Sequence, residues 1–171
     1  MKKTTIFSLI LGAFAIFIVI ILVAGDTTPL VQQQTRNAIF SLSFDDYEGN
    51  EVKMSDFAGK PLVLNTWAAW CPFCVEELKD FAEAQRELGD DVVIMAINRQ
   101  EPLATAKKFS DELGVTGDMV FVLDPNDSFY RAIGGFSMPE TLFINAAGEI
   151  VHHKRGPMRV EEIRKKIQDI L

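Results

Sequence analysis

The chain has 171 residues, is 48% hydrophobic, and carries two cysteines and a formal net charge of −7. That length suits one ordinary domain with an appendage, and its acidic excess argues against a nucleic-acid partner, which needs a basic face. Two cysteines three positions apart make no structural framework, because a bridge closing so short a loop removes little chain entropy.

Residues 4–25 carry no charge. As a helix this stretch would be about 33 Å long, enough to cross a hydrocarbon core of about 30 Å. Lys2 and Lys3 precede it, and the first basic residue after it is Arg36. The positive-inside rule therefore places the N-terminus in the cytoplasm and the body outside. Residues 1–25 are expected to be a cytoplasmic start and single-pass anchor in a bacterial cytoplasmic membrane. A cleaved signal peptide, with Val23 and Gly25 as a weak cleavage site, is the alternative, and either exports the body.

Residues 26–37, with Pro29 and Gln32-Gln33-Gln34, read as a linker without an apolar period, and the domain is expected over 38–171. Ile39, Phe40, Leu42 and Phe44 predict a strand, and a turn at Glu48–Glu51 leads to Val52-Lys53-Met54, closing a small hairpin. Ser55-Asp56 begins a short helical turn ended by Gly59. Pro61–Trp67 is a buried-type strand, a turn at Ala68-Ala69-Trp70 delivers Cys71, and a helix follows from about Pro72 to Leu88, with Gly89 as its stop. Val92–Ile97 is the next strand, and Pro102 opens a helix that Gly114 ends. Then come strand Met119–Leu123, a short helix around Phe129, Tyr130 and Ile133, strands Thr141–Ile144 and Glu149–His152, and an amphipathic helix Val160–Leu171. Parallel strands joined by helices come first and an antiparallel hairpin ends the sheet, which is an α/β arrangement.

The cysteine pair is open to three explanations: reactivity, metal binding or chance. A dithiol works by thiolate attack on a disulfide, and the second thiol then resolves the mixed disulfide. A Cys71 that caps the helix faces unpaired N–H groups and the positive dipole end, which favour the thiolate. Cys74 lies one turn further on the same face, and Pro72 fits the first turn, where its missing N–H costs nothing. Cys71 is thus the expected attacking thiol, exposed and acidified, and Cys74 the resolving one. A zinc half-site would need two more ligands, and the only histidines, His152 and His153, are adjacent on a strand and point to opposite faces. Inert core cysteines fit poorly with a strand and a Trp before the pair and a helix after it. No metal is expected.

The segment Thr66-Trp67-Ala68-Ala69-Trp70-Cys71-Pro72-Phe73-Cys74 resembles the active-site segment of the thioredoxin superfamily, and the body from about Ala38 resembles its membrane-anchored TlpA/ResA/CcmG-like branch. A second landmark, Gly134-Gly135-Phe136-Ser137-Met138-Pro139-Glu140-Thr141, is similar to the segment before the family's cis-proline strand. The resemblance implies a thioredoxin-like three-layer fold, its central mixed sheet flanked by helices, with an N-terminal hairpin and an N-terminal transmembrane helix. It implies a redox-active Cys71–Cys74 disulfide and a cis Met138–Pro139 bond facing it, where Met138 backbone groups pair with an extended substrate segment. Trp67 and Trp70 are expected beside the site, Trp70 as part of the substrate surface. Glu140 stands where threonine is more usual. Asn65 takes the position of a buried aspartate in cytoplasmic thioredoxins, so proton transfer to Cys74 needs another group. Glu77, three residues after Cys74 and matching the family's active-site glutamate, is the candidate proton relay. His152-His153 reads as strand surface.

By the same resemblance the chain is an exported oxidoreductase of protein thiols and disulfides, fed by an upstream membrane or exported electron donor and using no cofactor. The leading expectation is a reductase, with haem-attachment cysteines in cytochrome c maturation as a candidate substrate. A disulfide-forming oxidase and a thioredoxin-like adaptor with a permanent bridge are the alternatives. DsbA-like oxidases carry a large helical insertion, whereas the interval from Cys74 to Pro139 is filled by ordinary elements. A thiol peroxidase needs a different cysteine pattern.

Overall fold

The computed structural model describes residues 27–171. The expected anchor, residues 1–25, lies outside the described residues, and among those described no helix is long and apolar enough to cross a membrane. The chain divides into two units, residues 1–34 and 35–171. The first described element is helix α1 (Thr27–Phe40), which corrects both the linker expected over 26–37 and the strand expected at Ile39 and Phe40. Pro29 sits near the helix start, where its missing N–H is tolerated, and the Gln, Arg and Ala that follow are good helix formers. The helix hides from a search for apolar period because its residues from Leu30 to Gln34 are exposed and only Ile39 is buried outright.

The other elements are β1 (Ser43–Asp46), β2 (Glu51–Lys53), a 3-10 turn at Met54–Phe57, β3 (Leu62–Trp67), α2 (Pro72–Leu88), β4 (Val93–Arg99), α3 (Leu103–Leu113), β5 (Val120–Asp124), α4 (Ser128–Ala132), β6 (Glu140–Ile144), β7 (Ile150–Arg155) and α5 (Val160–Gln168). The strands form one seven-stranded sheet in the order β2-β1-β5-β4-β3-β6-β7. β3, β4 and β5 are parallel, while β1 and β6 run antiparallel to their neighbours. The expected mixed α/β sheet and hairpin are therefore present. β7 runs three residues past the expected end at His152, because Lys154 and Arg155 still pair with Thr141 and Glu140.

Every residue of β3 is buried, as suits a central strand covered on both faces. Leu62 and Leu64 join Met95, Ile97, Val122, Leu142 and Ile144 on one face, under Ile39 of α1 and Phe129 of α4. On the other face, Trp67 and Ala96 meet Leu78 of α2 and Ala106 of α3, while Val63, Ile94 and Phe143 meet Phe81 of α2 and Ile163 and Ile167 of α5. The result is three layers, with the end of β3 opening onto Cys71.

Candidate functional site: a disulfide at the start of a helix

β3 ends at Trp67, and the chain turns through Ala68–Trp70 before α2 begins. Glu101 holds this turn, accepting from Ala69 N at 2.9 Å and from Asn98 Nδ2 at 2.7 Å. Cys71 is the N-cap of α2 and Pro72 occupies its first turn. Cys71 and Cys74 are joined by a disulfide with a Cα–Cα distance of 5.4 Å. Cys71 Sγ accepts from Cys74 N at 3.3 Å, an N–H shared with Cys71 O at 3.1 Å in the first turn of the helix.

The exposure expected of Cys71 is corrected. It is only 3% exposed and Cys74 not at all. Both lie in an apolar cluster with Trp67, Leu78 and Phe121, and Met138 packs against it. The cover comes from residues distant in sequence, which spacing alone does not reveal. Trp67 packs beside the site as expected, its ring edge-on to Phe121 at 5.9 Å. Trp70, expected on the substrate surface, is 64% exposed and Phe73 63%, so the residues flanking the cysteines are aromatic and open to solvent.

The Met138–Pro139 bond is cis. Thr66 lies opposite Glu140 in the antiparallel β3–β6 register, which puts Pro139 at the end of β3 from which the turn to Cys71 departs. The Thr66 hydroxyl accepts from Glu140 N and donates to Glu140 O, both at 3.0 Å.

Glu77 is buried on the same helix as Cys74, one turn along. Its Oε1 accepts from Met158 N at 2.9 Å and its Oε2 from Asn65 Nδ2 at 3.0 Å. Asn65 also donates to Thr141 Oγ1 at 2.9 Å. Burial pushes the Glu77 carboxyl up to about 8, against the two hydrogen bonds that favour the anion. Near neutral pH it holds a proton and can give or take one, as a relay must. Asn65, which cannot titrate, tethers it.

Sequence reasoning left Glu140 as a departure from threonine and missed its role. It is fully buried on the opposite face of the sheet from Asn65 and Thr141. Its Oε2 accepts from Phe136 N at 2.9 Å and Ser137 N at 3.1 Å, while Oε1 faces His153 Nε2 at 2.6 Å and accepts from Arg155 Nε at 3.0 Å. Burial pushes this carboxyl up, but the Phe136 and Ser137 N–H groups, Arg155 and His153 together hold it below the usual range. His153 is thus a partner of Glu140 as well as strand surface. The available signal was parity: His153 and Arg155 share one face of β7, and Arg155 lies directly opposite Glu140.

Comparison with known proteins agrees with this geometry. The model of the family described as Redoxin matches residues 23–171. The thiol-disulfide oxidoreductase ResA of Geobacillus kaustophilus is 30% identical over 165 residues, covering 91% of this chain and 92% of that protein. The thiol:disulfide interchange protein DsbE of Vibrio cholerae is 28% identical over 152 residues, covering 88% of this chain and 80% of that one. Among solved structures, MTB DsbF in its mixed oxidized and reduced forms has a TM-score of 0.73 at 21% identity, covering 78% of this chain and 98% of that one, a likeness of fold.

Proposed function

The chain belongs to the Redoxin family and is a protein thiol–disulfide oxidoreductase, and we propose that it is a membrane-anchored reductase acting outside the cytoplasm. In this reading Cys71 attacks a partner's disulfide, Cys74 resolves the mixed disulfide, and Glu77 exchanges protons with the pair. Two electrons and two protons pass from the dithiol to the partner, and an upstream donor restores the dithiol. Trp70, Met138 and Pro139 line the surface that receives the partner's extended segment.

The observation that carries the direction of electron flow is the setting of Cys71. Stabilising the attacking thiolate makes a disulfide more oxidising. Here the dipole and one N–H favour the thiolate, but the sulfur is buried among apolar side chains and the first turn of α2 holds no basic residue. Apolar surroundings raise a thiol's pKa, which supports a reducing couple. The charge-free stretch of residues 4–25 supports anchoring, and the export it implies supports substrates such as haem-attachment cysteines in cytochrome c maturation.

Trapping tests the whole reading. Full-length Cys74→Ser, expressed in a bacterium and recovered from washed membranes, is expected to carry partner proteins as mixed disulfides on Cys71. Cys71→Ser is expected to carry none. Equal trapping by both variants would contradict the assignment of the attacking thiol, and recovery of the full chain in the cytosol would contradict the anchor. If the trapped partners include cytochrome apoproteins, the proposed substrate stands; if they exclude them, it falls.

A further inference from the structure

A buried carboxylate is costly unless it is paired and hydrogen-bonded, and replacing a buried ion pair with packed apolar residues is often neutral or stabilising. Glu140 is therefore a poor device for stability alone. What its four donors do is geometric. Two are consecutive main-chain N–H groups, Phe136 and Ser137, in the loop that ends at Pro139. The other two come from β7 and fix the carboxylate itself.

The same loop is held from a second side. Tyr130 of α4 donates its hydroxyl to Ser137 O at 3.1 Å. Its ring lies so close to Gly135 that an added Cβ would meet it at 2.4 Å. The Arg99 guanidinium sits 3.4 Å from the centre of that ring, and Asp127 grips Arg99 through two bonds of 2.6 and 2.5 Å. A loop fixed this firmly nonetheless turns one large apolar side chain outward: Phe136 is 83% exposed. It lies two residues before Met138, which packs against the cysteine cluster, and like Trp70 and Phe73 next to the cysteines it is an exposed aromatic ring.

We propose that Glu140 is a positioning residue for partner recognition: its carboxylate fixes the Gly135–Pro139 loop so that Phe136 is presented to an apolar side chain flanking the partner's disulfide. The inference rests on the functional reading that this loop receives the substrate. Rigid, preformed presentation of an aromatic ring is an efficient interface anchor, because little ordering entropy is lost on binding.

The test is single-turnover kinetics of the reduced protein with an oxidised synthetic peptide, its Cys-Xaa-Xaa-Cys-His disulfide flanked by Phe. The protein ends as the Cys71–Cys74 disulfide and the peptide as the dithiol. Glu140→Gln keeps the side chain's volume and loses the charge; Phe136→Ala removes an exposed ring. Each is expected to raise the half-saturating peptide concentration about tenfold, with the limiting rate within about twofold of the parent. The double variant is expected to show the same rise of about tenfold, since both act through one contact. A lower limiting rate at unchanged half-saturation overturns the proposal, and so do effects that multiply in the double variant. Should Glu140→Gln fail to fold, Phe136→Ala decides alone: unchanged half-saturation overturns the proposal. No exchange between the parent protein and the peptide overturns the functional reading and this inference with it, whereas parent exchange with unaffected variants overturns this inference alone.

Discussion

Glu77 sits between Met158 and Asn65 with its carboxyl pushed by burial to about 8, from an ordinary 4.5. A carboxyl raised on folding contributes stability that is complete below the unfolded value and is lost as pH rises through the folded one. In the disulfide form, stability is therefore expected to fall between about pH 4.5 and 8 relative to Glu77→Gln, by on the order of 4 kcal/mol. Urea unfolding of both proteins across that range checks this, and parallel curves would refute it. At this scale the sequence was legible where chemistry is local. Cys71, Cys74 and Pro139 sit in short motifs, and Glu77 follows Cys74 by one helical turn. Glu140 was not, because two of its donors are loop N–H groups and the other two lie 13 and 15 residues on, in a different strand. The burial of Cys71 was hidden for the same reason: Phe121 and Met138 reach it only through the fold.

The turn that delivers Cys71 depends on a neighbouring element. Glu101, between β4 and α3, accepts from Ala69 N and Asn98 Nδ2 with the same oxygen. Glu101→Ala leaves a partly buried N–H without its acceptor and is expected to cost about 1–3 kcal/mol in urea unfolding. Glu101→Gln keeps an oxygen in place and is expected to restore most of that. Equal losses in the two variants would show that the charge, not the acceptor, matters. Elements with strong punctuation were readable in advance: Gly89 and Gly114 end α2 and α3 as expected, because each takes a positive φ that other residues resist. α1 was not readable, since a helix that buries little beyond Ile39 has no apolar stripe to detect. The last residues of β7 were missed because pairing to β6, rather than their own composition, keeps them extended.

At the scale of the molecule, the sheet separates two tasks. Asn65 and Thr141 point to the α2 face, where Glu77 and the cysteines lie; Thr66 and Glu140 point to the other, where the loop before Pro139 is held. The proposed proton relay, Glu77, and the proposed loop anchor, Glu140, are thus hydrogen-bonded by adjacent residues of β3, Asn65 and Thr66, on opposite faces of the sheet. The order of strands and helices made the architecture readable from alternation and buried runs, while the pairing of distant carboxylates with their donors needed the assembled sheet. The direction in which this site moves electrons is read from the equilibrium potential of the Cys71–Cys74 couple against glutathione. A reductase with an apolar attacking thiol is expected below about −200 mV, in the range of glutaredoxins and thioredoxin, whereas a value near about −120 mV, that of a strong oxidant, would contradict the account.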